Sequence, residues 1–293
     1  MKKQYCSHTR YLNHFFSLFF LLGSWVAFSQ NAAIEVLTYN IRYANPGDGP
    51  NAWDLRSEKV FHLIREAHPD VFGLQEALKG QVEGLKTAFP GYGFIGVGRD
   101  DGKEAGEYSP IFYNKEMLQV QSSGVFWLSQ TPGVAGSRGW DAACNRVVTW
   151  AELKEKVSGN VFFAFCTHFD HMGEMARRNS SLLLLKAVDS LAGKKPVVVL
   201  GDFNSAPGSE PYQLITNMRD PLHLADARLV CSHPEGPEFT WTGFLVGGQK
   251  GERIDYIFLK NYGQAAAFKV NQWNDGSNYP SDHLPVSAKL ILW

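Results

Sequence analysis

The sequence predicts an α/β fold in which two β-sheets pack face to face and helices cover their outer sides. Nine short runs are rich in β-branched and aromatic residues and are bounded by Gly, Pro, Asn or Asp, as β-strands are. A few stretches with helical periodicity lie irregularly between them. With 44% hydrophobic, 13% aromatic and 19% charged residues, the composition is typical of a packed globular protein and excludes disorder as the main state.

From residue 30 onward, no linker, repeat or low-complexity tract interrupts the chain, which predicts a single domain over residues 30–293. One helix is predicted where Ser57 can cap a segment whose apolar residues between 60 and 64 share one face, and a second over residues 174–191. The strands are predicted at residues 34–39, 70–75, 92–97, 110–113, 147–153, 161–167, 196–200, 254–259 and 286–292.

Residues 1–29 have the pattern of a signal peptide. Lys2, Lys3 and Arg10 precede an apolar run over residues 15–28, and small residues suit cleavage before Gln30. The apolar run is shorter than the ~20 residues that a membrane-spanning helix needs. We therefore expect an exported protein without a stable membrane anchor, either periplasmic or extracellular.

The charge balance limits the kinds of partner. The chain carries 28 Lys plus Arg and 29 Asp plus Glu, and the segment 1–29 contributes three basic residues and no acid, so the remainder has a formal charge of −4. A dense basic footprint of the kind used by high-affinity DNA binders is therefore excluded. Any phosphate chemistry must occur in a local site.

Three cysteines follow the predicted signal peptide, at positions 144, 166 and 231. Export would permit a disulfide, but an odd number leaves at least one thiol unpaired within a monomer. Cys166 lies in an apolar strand and is expected to be a buried, inert thiol. The cysteines carry no functional argument.

Polar side chains follow the predicted strands at the points where those strands end or begin. Each residue alone has an ordinary interpretation, as a turn residue, a helix start or a loop cap. Their joint occurrence, each next to an apolar strand, predicts a site at one rim of the sheets. The residues concerned are Asn40, Glu76, His168, Asp202, Asn204, Asp255, Asp282 and His283.

With these residues the chain resembles the endonuclease/exonuclease/phosphatase superfamily of metal-dependent phosphoesterases, and we expect an exported bacterial member. The most specific motifs are Gly-Asp-Phe-Asn at 201–204 and Ser-Asp-His-Leu-Pro at 281–285, supported by Gln75-Glu76 and Thr167-His168. The resemblance covers nearly all of residues 34–292. It implies a four-layered α/β sandwich, with two packed mixed β-sheets flanked by helices and the site at one edge of the sheets.

The resemblance also implies a metal site. Glu76 is expected to hold Mg²⁺, a hard cation that takes oxygen ligands, with Mn²⁺ or Ca²⁺ as alternatives. Asn40 is expected beside it, as a carbonyl ligand or as the residue that orients Glu76. Asp282 would complete this shell or hold a second ion.

The catalytic roles follow from the same motifs. His283 matches the family histidine beside the attacked phosphate, and Asp255 matches its carboxylate partner, so the pair acts as a general base or, when protonated, as a charge donor. If His283 is an imidazolium, Asp202 becomes the base that activates water. Asn204 would donate its amide to the phosphoryl oxygens, and His168 would contact the phosphate.

Two further phosphate contacts are predicted from looser matches. Arg146 lies at a strand start where related enzymes place an arginine, although pairing with a surface carboxylate is an alternative. Tyr108, with Glu107 beside it, lies in a segment that contributes a tyrosine or glutamate near the phosphate. Asp170 and His171 form an additional His-Asp cluster after His168, whose role the motif does not define.

The reaction class is better defined than the substrate. We expect hydrolysis of a phosphodiester by metal-assisted attack of water on phosphorus, with nucleic acid as one candidate substrate, although the acidic loop 98–107 argues against a processive DNA binder. Alternatives are a phosphomonoesterase of sugar or inositol phosphates and a sphingomyelinase-like lipid phosphodiesterase. A catalytically inactive binding protein is a remote alternative.

Trp241 and two other tryptophans in loop-like segments could stack a base or sugar. The protein is expected to be a monomer.

Overall fold

The computed structural model describes residues 1, 2, 4, 33–247 and 251–291. Contacts divide the chain into a unit of residues 1–30 and a unit of residues 31–293. The predicted signal peptide falls in the first unit, almost wholly outside the described residues, and stays a prediction. Within the part of the chain that is described, no helix has both the length and the hydropathy needed to cross a membrane.

The second unit contains two six-stranded mixed sheets, as the sequence predicted. The first has the order β11-β12-β1-β2-β4-β3 and the second the order β5-β6-β7-β8-β10-β9. The strands are β1 (Ala33–Asn40), β2 (Val71–Gln75), β3 (Tyr92–Ile95), β4 (Ile111–Asn114), β5 (Leu118–Trp127), β6 (Val147–Glu155), β7 (Val161–His168), β8 (Val197–Asp202), β9 (Ala225–Asp226), β10 (Asp255–Lys260), β11 (Gln264–Val270) and β12 (Val286–Ile291).

All nine predicted strands occur, and the sequence prediction missed β5, β9 and β11. β9 has two residues, too few to give a pattern. The middle of β5 and four positions of β11 are exposed to solvent and carry small or polar residues, so neither strand has a clear apolar run. Their burial depends on the neighbouring strands rather than on their own hydrophobicity.

In the described part of the chain, five α-helices and one 3₁₀ helix surround the sheets. The prediction that Ser57 caps the first helix was wrong, because the helix begins one turn earlier. Trp53 packs edge-on against Phe61 with ring centroids 5.9 Å apart, so the apolar face extends to the earlier turn. The helices are the 3₁₀ helix Pro46–Asn51, α1 (Trp53–Ala67), α2 (Lys79–Ala88), α3 (Glu174–Ala192), α4 (Glu210–Thr216) and α5 (Ala227–Val230).

Three hydrophobic clusters define four layers. Alternate residues of β1 take part in two of them, since Val36 packs between the sheets and Leu37 packs toward α1 and α2. A third cluster joins the second sheet to α3 and α4. The sheets approach closely at Gly73, where an added Cβ would lie 2.8 Å from the Cys166 sulfur. The order helices, sheet, sheet, helices confirms the predicted four-layered sandwich.

The strand directions bring the polar strand ends to one edge. β1 and β2 are parallel and pair Asn40 with Gln75, whereas β7 and β8 are parallel and pair His168 with Asp202. β10 runs antiparallel to β8 and pairs Asp255 with Asp202, so its first residue lies at the same edge. Because carboxyl ends of parallel strands meet at one edge of a sheet, the topology assembles a site there.

Candidate active site

A cavity of about 640 Å³ opens at this edge and lies between the two sheets. Its lining includes seven of the ten residues predicted for the site or its substrate: Glu76, Arg146, His168, Asp202, Asn204, Asp282 and His283. Asn40 and Asp255 are fully buried directly behind this lining. Tyr108 is the one predicted residue that the structure does not bring to the cavity.

Glu76 follows β2 in the left-handed backbone region, with φ of 63°. A non-glycine residue there stores strain that the surrounding contacts must offset. Those contacts hold the carboxylate at both oxygens: Asn40 Nδ2 donates to Oε1 at 3.1 Å and the Tyr43 main-chain N–H donates to Oε2 at 3.1 Å. The strained turn aims the carboxylate into the cavity.

Asn40 orients Glu76 through its amide nitrogen. The main-chain N–H of Arg42 donates to Asn40 Oδ1 at 3.0 Å, and since an N–H can only donate, this contact fixes which amide atom is the oxygen. The amide nitrogen then donates to Glu76 and, at 2.9 Å, to Asp202 Oδ2. Of the two roles predicted for Asn40, the structure supports the orienting residue, because its carbonyl oxygen faces Arg42.

Asp282 faces the cavity close to Glu76 and Arg42. Ser281 Oγ lies 3.2 Å from its Oδ1, and Ser281 Oγ also donates to the Asn40 carbonyl at 2.7 Å. Burial raises the pKa of Asp282, with the charge of Glu76 adding to the effect and that of His283 opposing it. Two carboxylates in one buried corner repel each other unless a cation lies between them.

Glu76 and Asp282 fit a divalent cation by the chemistry of their donors. Both are carboxylates that line the same cavity, and hard cations such as Mg²⁺ prefer such oxygen ligands with water completing the shell. A second group of metal-capable side chains, comprising Asp202, Asp255 and His283, lies within reach of one ion. His283 and Asp255 already bond each other, so this group has fewer free ligand atoms than the Glu76 side.

His283 and Asp255 form a buried pair that joins the two sheets. Nδ1 of His283 donates to Asp255 Oδ2 at 2.8 Å, which leaves Nε2 on the cavity side. Burial alone would lower the pKa of His283, but the Asp255 and Asp202 carboxylates outweigh it and raise that pKa well above its usual value. A raised pKa stabilises the protonated ring, which favours the charge-donor role of the two that the sequence left open.

Asp202 occupies the centre of the site. Its Oδ1 accepts the Asn204 main-chain N–H at 2.9 Å, and its Oδ2 lies 3.5 Å from His168 Nε2 and 3.8 Å from His283 Nε2. Burial, together with the charge of Asp255, raises the pKa of Asp202 to about 7. A carboxylate with this pKa can take a proton from water near neutral pH.

Asn204 and His168 form the opposite wall of the cavity. Asn204 Nδ2 donates to the Phe169 carbonyl at 2.9 Å and to His168 Nε2 at 3.0 Å. His168 therefore accepts at Nε2 and carries its proton on Nδ1. Burial, reinforced by the charges of Arg146 and Arg99, lowers the pKa of His168, consistent with a neutral ring.

Arg146 projects into the cavity from the start of β6 and is only 4% exposed. Its Nε donates to Asp170 Oδ2 at 3.2 Å and its Nη2 contacts His171 Nδ1 at 3.0 Å. The surface ion pair considered as an alternative does not occur, because the carboxylate that meets Arg146 is itself buried. Arg146 thus lines the cavity with its Nε held by a buried carboxylate.

Tyr108 was predicted as a phosphate contact, and the structure corrects this assignment. Its ring packs in the core of the first sheet and its hydroxyl donates to the Lys103 carbonyl at 3.2 Å. Successive residues of an extended segment point to opposite sides, so Glu107 faces the cavity instead. There it pairs with Arg99, and burial raises the pKa of Glu107 despite that pairing.

Three cationic or aromatic cavity residues were not predicted, Arg42, Tyr43 and Arg99, whereas Trp241 was already a candidate for stacking a base or sugar. Arg42 lies two residues after Asn40 and has φ of 55°, which makes it, like Glu76 and Asn204, a non-glycine residue in the left-handed region. Because Arg42 lies just after the end of β1, its place in the cavity could have been predicted from the sequence. Arg99 lies in a loop whose net acidity concealed it, and Trp241 is paired by its backbone to His283.

The cysteines agree with their predicted minor role. Cys144, Cys166 and Cys231 are free thiols. Burial raises the pKa of Cys166 to about 12, since hydrogen bonds from Gln75 only partly oppose the loss of solvent. An inert thiol between the sheets is the result.

Comparison with solved structures extends over most of the chain. A protein of Bacteroides vulgatus described as an endonuclease/exonuclease/phosphatase is 39% identical, with a TM-score of 0.85 over 89% of this chain and 100% of that chain. A mannosyl-6-phosphatase of Bacteroides thetaiotaomicron is 33% identical, with a TM-score of 0.82 over 88% and 99% of the two chains.

Curated relatives match less of their own length. Nocturnin of Drosophila melanogaster is 25% identical over 286 residues, which cover 82% of this chain and 42% of nocturnin. Protein L388 of Acanthamoeba polyphaga mimivirus is 32% identical over 162 residues, 52% of this chain and 59% of that protein. The chain spans about half the length of the curated relatives it matches.

A family model matches residues 37–283, which include every polar strand end described above. Enzymes of this family hydrolyse phosphate esters and generally depend on a metal ion. On the basis of this match and of the four-layered sandwich, the chain belongs to the Endonuclease/Exonuclease/phosphatase family.

Proposed function

We propose that this protein is a divalent-metal-dependent hydrolase that cleaves a phosphomonoester carried on a sugar. The observation that carries the reaction class is the convergence of Glu76, Asp202, Asn204 and His283 in one cavity. Every carboxylate, amide and imidazole of the family motifs lines this cavity or lies directly behind its lining. An inactive binding protein would not need this complete set.

Glu76 and Asp282 would hold the metal ion, which we take to be Mg²⁺ because both donors are carboxylates. When bound, the cation supplies positive charge to the phosphoryl oxygens and to the leaving oxygen. Asn40 keeps the Glu76 carboxylate in place by donating to Oε1 at 3.1 Å. Arg42, whose Nη1 lies 4.0 Å from Glu76 Oε2, adds positive charge beside the Glu76 carboxylate.

Asp202 is the residue best suited to activate water. It accepts hydrogen bonds from Asn40 at 2.9 Å and from the Asn204 main chain at 2.9 Å, which fix the carboxylate in the centre of the cavity. With a pKa of about 7, caused by burial and by Asp255, it can bind the proton that water loses. His283 then donates from Nε2 to a phosphoryl oxygen, and Arg146 provides a further donor, while Asn204 holds the His168 ring by donating to its Nε2 at 3.0 Å.

The size of the cavity favours a small substrate. About 640 Å³ lies within the range of sites for small molecules. Trp241 is 42% exposed at the cavity wall, and its indole can stack on the apolar face of a sugar ring. The 33% identity with a mannosyl-6-phosphatase, over nearly the whole of that chain, supports a sugar phosphate in particular.

A phosphodiester, the substrate expected first from the sequence, becomes the second candidate. Its support is Trp241, which could equally stack a base. The loop 98–107 offers little to a nucleic-acid backbone, because Arg99 is already paired with Glu107. We also keep as proposals that the protein is exported to the periplasm or beyond the cell, that it lacks a stable membrane anchor, and that it acts as a monomer.

A substrate panel tests the proposal. The full chain, loaded with Mg²⁺, is assayed with mannose 6-phosphate, inositol phosphates, bis(4-nitrophenyl) phosphate and single-stranded DNA. The expected result is release of inorganic phosphate from the sugar monoester with the highest kcat/KM, abolished in Asp202→Asn and retained in the exposed control Asp189→Asn. A higher kcat/KM for either diester would reverse the order of the two candidates, and cleavage of no ester would refute the enzyme.

A further inference from the structure

Asp170 is the most heavily bonded side chain beside the cavity, and the catalytic scheme above does not use it. It is 1% exposed and lies two residues after His168. Its carboxylate accepts five hydrogen bonds, from the main-chain N–H groups of Ala143, Cys144, Met172 and Gly173 and from Arg146 Nε.

The two oxygens of Asp170 have different partners. Oδ1 accepts the N–H groups of Met172 at 3.0 Å, Gly173 at 2.8 Å and Ala143 at 3.1 Å. Oδ2 accepts Cys144 N–H at 3.1 Å and Arg146 Nε at 3.2 Å. Oδ1 mainly orders the turn of Asp170 itself, whereas Oδ2 joins that turn to the segment that carries Arg146.

A metal site at Asp170 does not fit these contacts. Cys144, Asp170 and His171 lie close enough together to hold an ion. However, both Asp170 oxygens already accept donors, and Nδ1 of His171 faces the Arg146 guanidinium at 3.0 Å. The cluster is therefore built to hold an arginine.

Arg146 is held at two of its three nitrogens. Asp170 accepts a hydrogen bond from Nε, and His171 Nδ1 contacts Nη2. Nη1 is buried without a hydrogen-bond partner among the described residues. A buried guanidinium N–H without an acceptor is costly, and such groups are nearly always bonded in native proteins. Because Arg146 lines the cavity, an anionic oxygen of the substrate is the acceptor that fits.

We propose that Asp170 is a positioning residue that, together with His171, fixes the Arg146 guanidinium so that its free edge meets a phosphoryl oxygen. This inference rests on the proposed function, in that the same cavity binds the phosphate ester. Asp170 acts through Arg146 and does not touch the reacting atoms. Its loss should weaken phosphate binding more than it slows the chemical step.

Asp170→Asn isolates this role. The amide oxygen introduced in this variant can keep the three N–H contacts of Oδ1. The NH₂ group replaces Oδ2 and cannot accept a hydrogen bond from Cys144 N–H or Arg146 Nε. The expected result is that KM for mannose 6-phosphate and the inhibition constant of inorganic phosphate each rise about tenfold, with a smaller change in kcat. In an Arg146→Ala background the same substitution should add almost nothing.

Asp141→Asn is the matched control. Asp141 also accepts main-chain N–H groups in this region, from Met175 at 3.2 Å and Ala176 at 2.7 Å, and no contact joins it to Arg146. The KM of the Asp141→Asn variant should stay at the wild-type value. If Asp170→Asn does not fold, exposed His171 gives the alternative variant His171→Ala, for which KM should rise about threefold.

Three results would overturn the inference: an unchanged KM and phosphate inhibition constant in Asp170→Asn, full additivity with Arg146→Ala, or an unchanged KM in His171→Ala. Failure of the proposed function is separable. If the wild type hydrolyses no ester, calorimetric binding of inorganic phosphate to the Mg²⁺-loaded protein still decides the inference, because binding should weaken in Asp170→Asn and not in Asp141→Asn.

Discussion

The two sheets contribute chemically different halves of one site. The first sheet provides the half that we propose to bind the cation, called the metal half, in which Glu76 and Asp282 present carboxylates to the cavity. The second sheet and its loops provide the half that we propose to bind the phosphate, called the phosphate half, in which His168, Asn204 and Arg146 present nitrogen groups. Carboxylates thus line the wall that would bind a cation. Neutral or positively charged nitrogen groups line the wall that would bind an anion.

The halves are held in place by different means. On the metal half, a strained backbone at Glu76, with φ of 63°, aims the carboxylate. On the phosphate half, buried ion pairs and hydrogen bonds such as Arg146 with Asp170 hold the side chains. His283 and Asp255 connect the halves at 2.8 Å, one residue coming from the segment before β12 and the other from β10. The site therefore depends on the contact between the sheets.

The largest effect is expected at the connection between the halves. His283→Ala removes the ring whose protonated form the pairing with Asp255 stabilises, and kcat should fall about 10²–10⁴-fold. Steady-state release of phosphate measures it. The exposed His233→Ala is the control and should keep the wild-type rate; a His283→Ala enzyme within twofold of wild type would contradict the assigned role.

The metal half should respond to the concentration of metal. Glu76→Gln keeps the size of the side chain but removes a charged ligand, so half-maximal activity should need at least about 10–100-fold more Mg²⁺. Excess Mg²⁺ should restore part of the rate. Glu83→Gln, on the exposed side of α2, should leave the Mg²⁺ titration unchanged. If excess metal gives no rescue, Glu76 is structural and the metal site lies elsewhere.

The phosphate half should set the acid limb of the pH profile. Asp202 must be deprotonated to accept a proton, and its pKa is raised to about 7 by burial and by Asp255. The rate should therefore rise with pH up to about 7 and fall about tenfold per unit below that limb. A bound cation lowers the pKa, so the limb should move to lower pH at saturating Mg²⁺. A pH-independent rate between pH 5 and 8 would argue against Asp202 as the base.

The smallest effect is expected on stability, at Gly73, which lies between the two sheets and away from the proposed catalytic residues. Gly73→Ala would put a Cβ 2.8 Å from the Cys166 sulfur and 3.1 Å from Leu200 Cβ, and should destabilise the fold by about 1–3 kcal/mol. Chemical denaturation measures this change. Gly80→Ala in α2 meets no atom within 4 Å and should be neutral or stabilising by up to about 1 kcal/mol. Equal midpoints for both variants would mean that the sheets tolerate separation.

The fold and most of the site could be predicted from the sequence. The apolar strands ended at the residues that meet in the cavity, and the motifs at 201–204 and 281–285 defined Asp202 and His283. The orientation of neighbouring residues could not be predicted. Glu107 and Tyr108 differ by one position, and only the bridges of Tyr108 to Ala77 and Gly98 decide which of them faces the cavity.

The partners of individual side chains were also beyond the reach of the sequence. Asn40 serves as the orienting residue because Arg42 N–H occupies its oxygen, a result of the left-handed turn after β1. Arg99 reaches the cavity from a loop whose net charge is acidic, since Glu107 neutralises it locally. Such positions depend on tertiary packing, which a pattern of residue types does not encode.

The most direct test of the central claim, that the two halves together hydrolyse a phosphate ester with a bound cation, is a chelation cycle. Inorganic phosphate release from mannose 6-phosphate is followed in the wild-type protein, then after removal of metal, then after return of Mg²⁺. The account predicts turnover that is lost on chelation and restored by Mg²⁺. Undiminished turnover by protein verified to be free of metal would contradict it.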